Sequence, residues 1–71
     1  MAHVLKLKSR IPARLAELRK SQGWLAKHLG VGPGYVSRLV RGEVIPRVST
    51  AYRLAAILQC TIEDLWLPME D

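Results

Sequence analysis

Ser37, Arg38 and Arg41 stand out for the chemistry their side chains could do. Val36 and Leu39 beside them are apolar and must point inward if this segment is helical, so 37, 38 and 41 project from the opposite arc. A guanidinium held there donates two parallel hydrogen bonds, which suits a phosphate or the O6 and N7 acceptors of guanine. The sequence offers no Ser/His/Asp set, no phosphate-cradling loop and no metal-ligand spacing, so it reads as a binding surface with no cofactor rather than an enzyme. Glu63 and Asp64 are adjacent, but at an expected helix start their charge favours the helix dipole, which accounts for them better than acid/base work.

The elements that must position these residues are legible from Ser21 to Gly42. Leu25, Ala26 and Leu29 mark one face of a short helix from Gln22, with Ser21 as its N-cap. Gly30 ends that helix where positive φ is needed. A second short helix is expected from about Pro33 to Arg41, closed by Gly42. Pro33 suits a first turn, whereas Gly34 there costs about 1 kcal/mol relative to alanine. Two short helices joined by a tight glycine turn cross steeply, small Ala26 allows close approach, and the outer face of the second helix then has the shape of a DNA major groove.

The flanking segments complete a bundle. The first helix is expected near Ile11, with Pro12 in its first turn, Ile11, Leu15 and Leu18 inward, and Arg14 and Glu17 toward solvent. Arg19-Lys20 reads as a short polar link. After a loop ending at Pro46, a fourth helix runs from Val48 or Ser49 to Leu58, with Val48, Ala51, Leu54, Ala55 and Leu58 as its apolar stripe. Thr61-x-x-Asp64 resembles a capping box and starts a fifth helix from Ile62 to about Leu67, with Ile62, Leu65 and Trp66 closing the core and Pro68 ending it. Val4 to Lys8 partly alternates, so a short strand is possible there, although a frayed terminus is the plainer reading. Trp24 is expected to pack against the loop after the third helix, and His28 to be a solvated surface histidine.

Composition bounds the rest. A chain of 71 residues is one domain and buries only about 60% of its unfolded surface. Its one cysteine, Cys60, excludes an internal disulfide and reads as a small buried hydrophobe. The expectation is an intracellular, cytoplasmic protein, without a signal peptide or an apolar run of the ~20 residues that span a bilayer. Net charge is +5, and its distribution is uneven. All eleven Lys and Arg lie between Lys6 and Arg53, opposed there only by Glu17 and Glu43, while Glu63, Asp64, Glu70 and Asp71 follow. Such a molecule turns one side toward a polyanion.

The ordered set Ser21-Gln22, Leu25-Ala26, Leu29-Gly30-Val31, Tyr35-Val36-Ser37-Arg38-Leu39, Arg41-Gly42, Pro46, Thr50-Ala51, Leu54-Ala55, Leu58 and Glu63-Asp64-Leu65-Trp66 resembles the Cro/repressor-type helix-turn-helix family, also called the XRE family. The resemblance covers about Ile11 to Trp66. It implies an all-α, lambda-repressor-like compact bundle of five helices: residues 1–9 a basic arm, 10–67 the helix-turn-helix DNA-binding domain, 68–71 a tail. It implies a recognition helix at 33–41, with Pro33, Gly34, Ser37 and Arg38 at base edges and Gln22, Tyr35, Arg41, Glu43 and Val44 on the DNA backbone. Gln22 would also brace the start of the third helix. The chain departs from the family at Gly32, where Ser or Thr usually caps, at Pro33 and Gly34, which lack side-chain donors, and at Gln59, where glycine is common. Arg38 is thereby left as the main reader. The implied protein is a sequence-specific transcription regulator, a repressor, bound as a homodimer to a palindromic double-stranded operator, with Trp66, Leu67 and Met69 as the dimer surface. An antitoxin-like protein that holds a toxin and autoregulates its operon is the alternative. No membrane association is expected.

Overall fold

A computed structural model describes residues 6–69. The elements in order are β1 (Leu7–Ser9), α1 (Ile11–Leu18), α2 (Gln22–Leu29), α3 (Pro33–Arg41), α4 (Val48–Ile57), α5 (Ile62–Leu65) and β2 (Trp66–Pro68). Among the described residues five helices form as expected, but the fold is mostly helical rather than all-α. β1 and β2 pair antiparallel, with Leu7 opposite Pro68 and Ser9 opposite Trp66. The fifth helix therefore stops at Leu65, not Leu67. Trp66 is already extended, and the ladder continues to the Met69 N–H, which donates to the Lys6 carbonyl at 2.8 Å. Residues 1–5 of the expected arm and residues 70 and 71 of the expected tail lie outside the described residues.

One core joins all the elements. Ile11, Leu15, Leu25, Leu29, Val36, Leu39, Leu54, Leu58, Leu65 and Trp66 are buried together, with Ala26, Val40, Ala51 and Ala55 filling the narrow places between helices. Leu18 and Ile62 pack at its margin. Val48 departs from its expected place in the stripe of α4: it is 70% exposed. The buried line of α4 runs through Ala51, Leu54, Ala55 and Leu58; Val48 keeps its period, but at the first helical position no element covers it. Cys60 is half-buried rather than buried, and burial pushes its thiol pKa up.

Local chemistry sets the helix ends. The Ser21 hydroxyl accepts from the Trp24 N–H at 3.0 Å, and Thr61 and Asp64 form the reciprocal capping box. Hydrogen bonding to the Thr61 N–H, with the Thr61 side chain adding to it, holds the Asp64 carboxyl below its ordinary range. Among the described residues two non-glycines sit in the left-handed region, Arg19 (φ 57°) closing α1 and Gln59 (φ 57°) following α4. Gln59 thus occupies the conformation that makes glycine common there.

Arg14 does not face solvent. Its Nε donates to the Leu58 carbonyl at 2.8 Å and its Nη2 to the Gln59 carbonyl at 3.0 Å, which ties α1 to the carbonyl end of α4 and leaves Glu17 as an exposed partner at 3.7 Å. These contacts make two expected outcomes. Arg14→Ala lowers unfolding stability by about 1–3 kcal/mol, because two carbonyls lose a charged donor. Gln59→Gly raises it by up to about 1 kcal/mol by removing left-handed strain, part of which is offset by the freedom glycine gains when unfolded. Urea unfolding followed by circular dichroism checks both.

Candidate nucleic-acid interface

The geometry of α3 begins in the turn before it. Gly30 adopts φ 77°, and its N–H and that of Val31 both donate to the Ala26 carbonyl, at 2.9 and 3.1 Å. This closes α2 and reverses the chain within three residues. Gly32 is extended and caps α3 without a side-chain bond, and Pro33 occupies the first turn, where its missing N–H costs nothing. Val36 and Leu39 are buried as expected. So is Val40, which the sequence reading left out although it lies four residues beyond Val36. Three inward anchors in five residues fix the helix's rotation. Pro33, Gly34, Arg38 and Arg41 are then exposed on the outer arc, with Ser37 half-exposed between them.

The outer arc is internally connected. The Arg41 Nη1 donates to the Ser37 Oγ at 2.7 Å, and its Nε donates to the Glu43 carboxylate. The hydrogen bond from Arg41 holds the Glu43 carboxyl below its ordinary range, with the fields of Arg41 and Arg38 adding to it. The same bond raises the Arg41 pKa. Glu43 is therefore ionised, and it sits beside both arginines of α3. Glu43, expected on the DNA backbone, has both of its polar groups engaged within the chain. Its N–H donates to the Arg38 carbonyl at 2.9 Å, where Gly42 at φ 75° closes the helix. Val44 differs: its side chain packs against the core, and its N–H has no partner among the described residues.

The remaining predicted contacts divide by exposure. Gln22 is exposed at the start of α2 and makes no hydrogen bond to α3, so the expected brace between the two helices is absent among the described residues. Its amide is free, beside the outward N–H groups of the first turn. The ring of Tyr35 packs against the core margin, and its hydroxyl has no partner among the described residues. Trp24 also packs at the core margin and meets His28, its neighbour one turn along: the ring centroids are 4.4 Å apart, and the His28 Nδ1 lies 3.0 Å from the Trp24 carbonyl oxygen. Lys20 Nζ lies 5.3 Å from the centroid of the indole. His28 is an exposed surface histidine, as expected, with its ring against Trp24.

One positioning residue escaped the sequence reading. Arg53 Nη2 donates to the Leu29 carbonyl at 2.9 Å, so α4 caps the carbonyl end of α2 and holds the helix pair against the bundle. A long-range capping arginine leaves no local signal in the sequence. Of the three residues expected at a dimer surface, Trp66 is 6% exposed and belongs to the core of its own chain, while Leu67 and Met69 are exposed on and after β2.

Comparison with known proteins fits this geometry. Residues 13–65 match the helix-turn-helix family model. A crystal structure of a candidate DNA-binding protein from Bacteroides fragilis superposes with a TM-score of 0.78 at 25% sequence identity, covering 84% of this chain and 97% of that one. No curated protein matches.

Because the start of α2 hangs on one side-chain cap, Ser21→Ala is expected to lower stability by about 1 kcal/mol, and Ser21→Asp to keep it near the wild-type value. Thermal unfolding of both variants checks the pair, and equal midpoints for Ala and Asp would remove the capping role.

Proposed function

We propose, from the premise that the chain belongs to the helix-turn-helix family of the Cro/repressor (XRE) type, that it is a sequence-specific regulator of transcription, acting as a repressor, with α3 in the major groove of double-stranded DNA. The observation that carries this reading is the division of α3 into an arc anchored by Val36, Leu39 and Val40 and an exposed arc bearing Arg38 and Arg41. The likeness to a structure described as DNA-binding supports it.

In this proposal Arg38 reads a base and Arg41 grips the backbone. Among the described residues Arg38 has no hydrogen-bonded partner for its side chain, so its guanidinium is available to guanine O6 and N7. Ser37 spends its Oγ on Arg41 and contributes at the same base step or beside it. Pro33 and Gly34 offer no side-chain donors, and they let the start of α3 approach closely. Gln22, Tyr35 and Val44 hold phosphates through an amide, a hydroxyl and a free N–H. One module presents few base readers, so two copies on a palindromic operator supply the specificity, with half-sites about 34–36 Å apart.

Selection from random duplexes tests the reading. A palindromic motif is expected, and Arg38→Ala is expected to relax one G·C preference per half-site, worth about 1–3 kcal/mol of discrimination. Identical motifs for variant and wild type would refute the role of Arg38. Glu43→Gln removes an anion from the DNA-facing arc. It is expected to bind random duplex more tightly and to steepen the log K against log salt slope by up to about 0.9. An unaltered slope would show that Glu43 stays clear of the phosphates.

A further inference from the structure

The last residues of α3 lie against β1. Gly42 closes the helix beside Ser9: a β-carbon on the glycine would meet the Ser9 β-carbon at 3.5 Å and the Ser9 backbone nitrogen at 3.7 Å. Helix backbone therefore packs directly on the strand, with no side chain between them to take up a shift. Ser9 itself is held from several sides. It stands opposite the buried Trp66 in the ladder, and its Oγ accepts from the Ile11 N–H at 3.3 Å, at the first turn of α1. Arg10, the next residue, donates its N–H to the Leu65 carbonyl at 2.7 Å. Leu7 and Ser9 are half-buried, while Lys6, Lys8 and Arg10 alternate with them on the exposed side. β1 is thus a fixed wall, and α3 meets it at Ser9.

Val40 is the last residue of α3 in the core, and Arg41 and Glu43 beyond it are exposed. The Gly42 N–H donates to the Leu39 carbonyl at 3.1 Å and the Glu43 N–H to the Arg38 carbonyl at 2.9 Å, so this end is tied to the helix through its backbone. Arg38 precedes buried Leu39, and the core aims it. Arg41 is followed directly by Gly42, the residue that rests on Ser9. We infer that Ser9 is a positioning residue for Arg41. The small side chain at this point of β1 sets how far the end of α3 stands from the bundle, and with it the reach of the Arg41 guanidinium. The packing stands on its own, and its bearing on DNA rests on the proposed reading of Arg41 as the backbone contact.

Wild type, Ser9→Ala, Ser9→Thr and Ser9→Val separate size from hydrogen bonding. Serine and threonine carry the hydroxyl that bonds the start of α1, and alanine and valine lack it. Threonine and valine are branched at the β-carbon beside Gly42, and serine and alanine are not. In Ser9→Thr and Ser9→Val the Gly42 and Glu43 amides are expected to exchange with solvent at least about tenfold faster relative to the amides of α4, and in Ser9→Ala to keep the wild-type ratio. Binding to random duplex is expected to divide in the same way. The log K against log salt slope becomes shallower by up to about 0.9 in Ser9→Thr and Ser9→Val and keeps its wild-type value in Ser9→Ala. The G·C preference assigned to Arg38 is expected to persist in every variant. A residue that only bonds the start of α1 gives the other grouping, with Ser9→Ala and Ser9→Val alike and Ser9→Thr close to wild type. That grouping, or four chains alike in both measurements, would overturn the inference. Exchange needs no DNA, so the outcomes stay separate: a wild type that binds no duplex removes the proposed function, while the Gly42 and Glu43 amides still decide whether Ser9 places the end of α3.

Discussion

Everything on the exposed arc depends on the burial of Val36, Leu39 and Val40 from a helix of nine residues. Burying each such side chain is worth about 1.5–3 kcal/mol, far more than any single surface contact the helix makes. The apolar side therefore dictates the helix's rotation, and the polar side takes what remains. The turn from Gly30 to Gly32 and the Arg53 bond to the end of α2 fix the angle at which that face is presented. No separate device for aiming Arg38 is required.

The basic residues divide between holding the chain together and facing outward. Arg14 and Arg53 use their guanidinium groups to satisfy the carbonyl ends of α4 and α2, the groups a short helix leaves without partners. A chain of this size has little apolar surface to spare, and such donors let short helices end inside the bundle without orphaned carbonyls. The +5 charge therefore overstates the field offered to a partner less by its size than by its placement: these two arginines point into the fold, and Arg41 shares its charge with Glu43. The outward arc of α3 carries two arginines against one carboxylate.

The sequence disclosed what short-range chemistry determines. Ser21, Gly30, Gly42 and the Thr61–Asp64 box announced helix ends because capping is local, and the apolar spacing announced the five helices and the inward face of α3. It hid what depends on distant partners. Trp66 belongs to a strand because Ser9 lies opposite it, and no window around Trp66 contains Ser9. Arg14 resembled a solvent-facing residue because its acceptors lie 44 and 45 positions away. Val48 matched the apolar period of α4, yet no element covers the first turn of that helix. At the interface, the residue types on α3 were legible, whereas the engagement of Glu43's N–H and carboxylate by Arg38 and Arg41 required coordinates.

The placement of Glu43 bears on what the proposed regulator must achieve. A regulator competes against a vast excess of random sequence, so what matters is the ratio of specific to non-specific affinity rather than either alone. Non-specific affinity rises with every phosphate neutralised, and an arc with two unopposed arginines raises it for all sequences alike. A carboxylate bonded to Arg41 lowers that common term. In the proposed reading Arg38 is the base reader and Arg41 the phosphate contact, and the hydrogen bond from Arg41 to Ser37 ties the latter guanidinium along the helix. On that proposed reading an acidic residue beside the recognition helix, which looks like a defect when charge alone is counted, serves discrimination: its hydrogen bond falls on Arg41, the contact that every sequence offers, while Arg38 feels only its field.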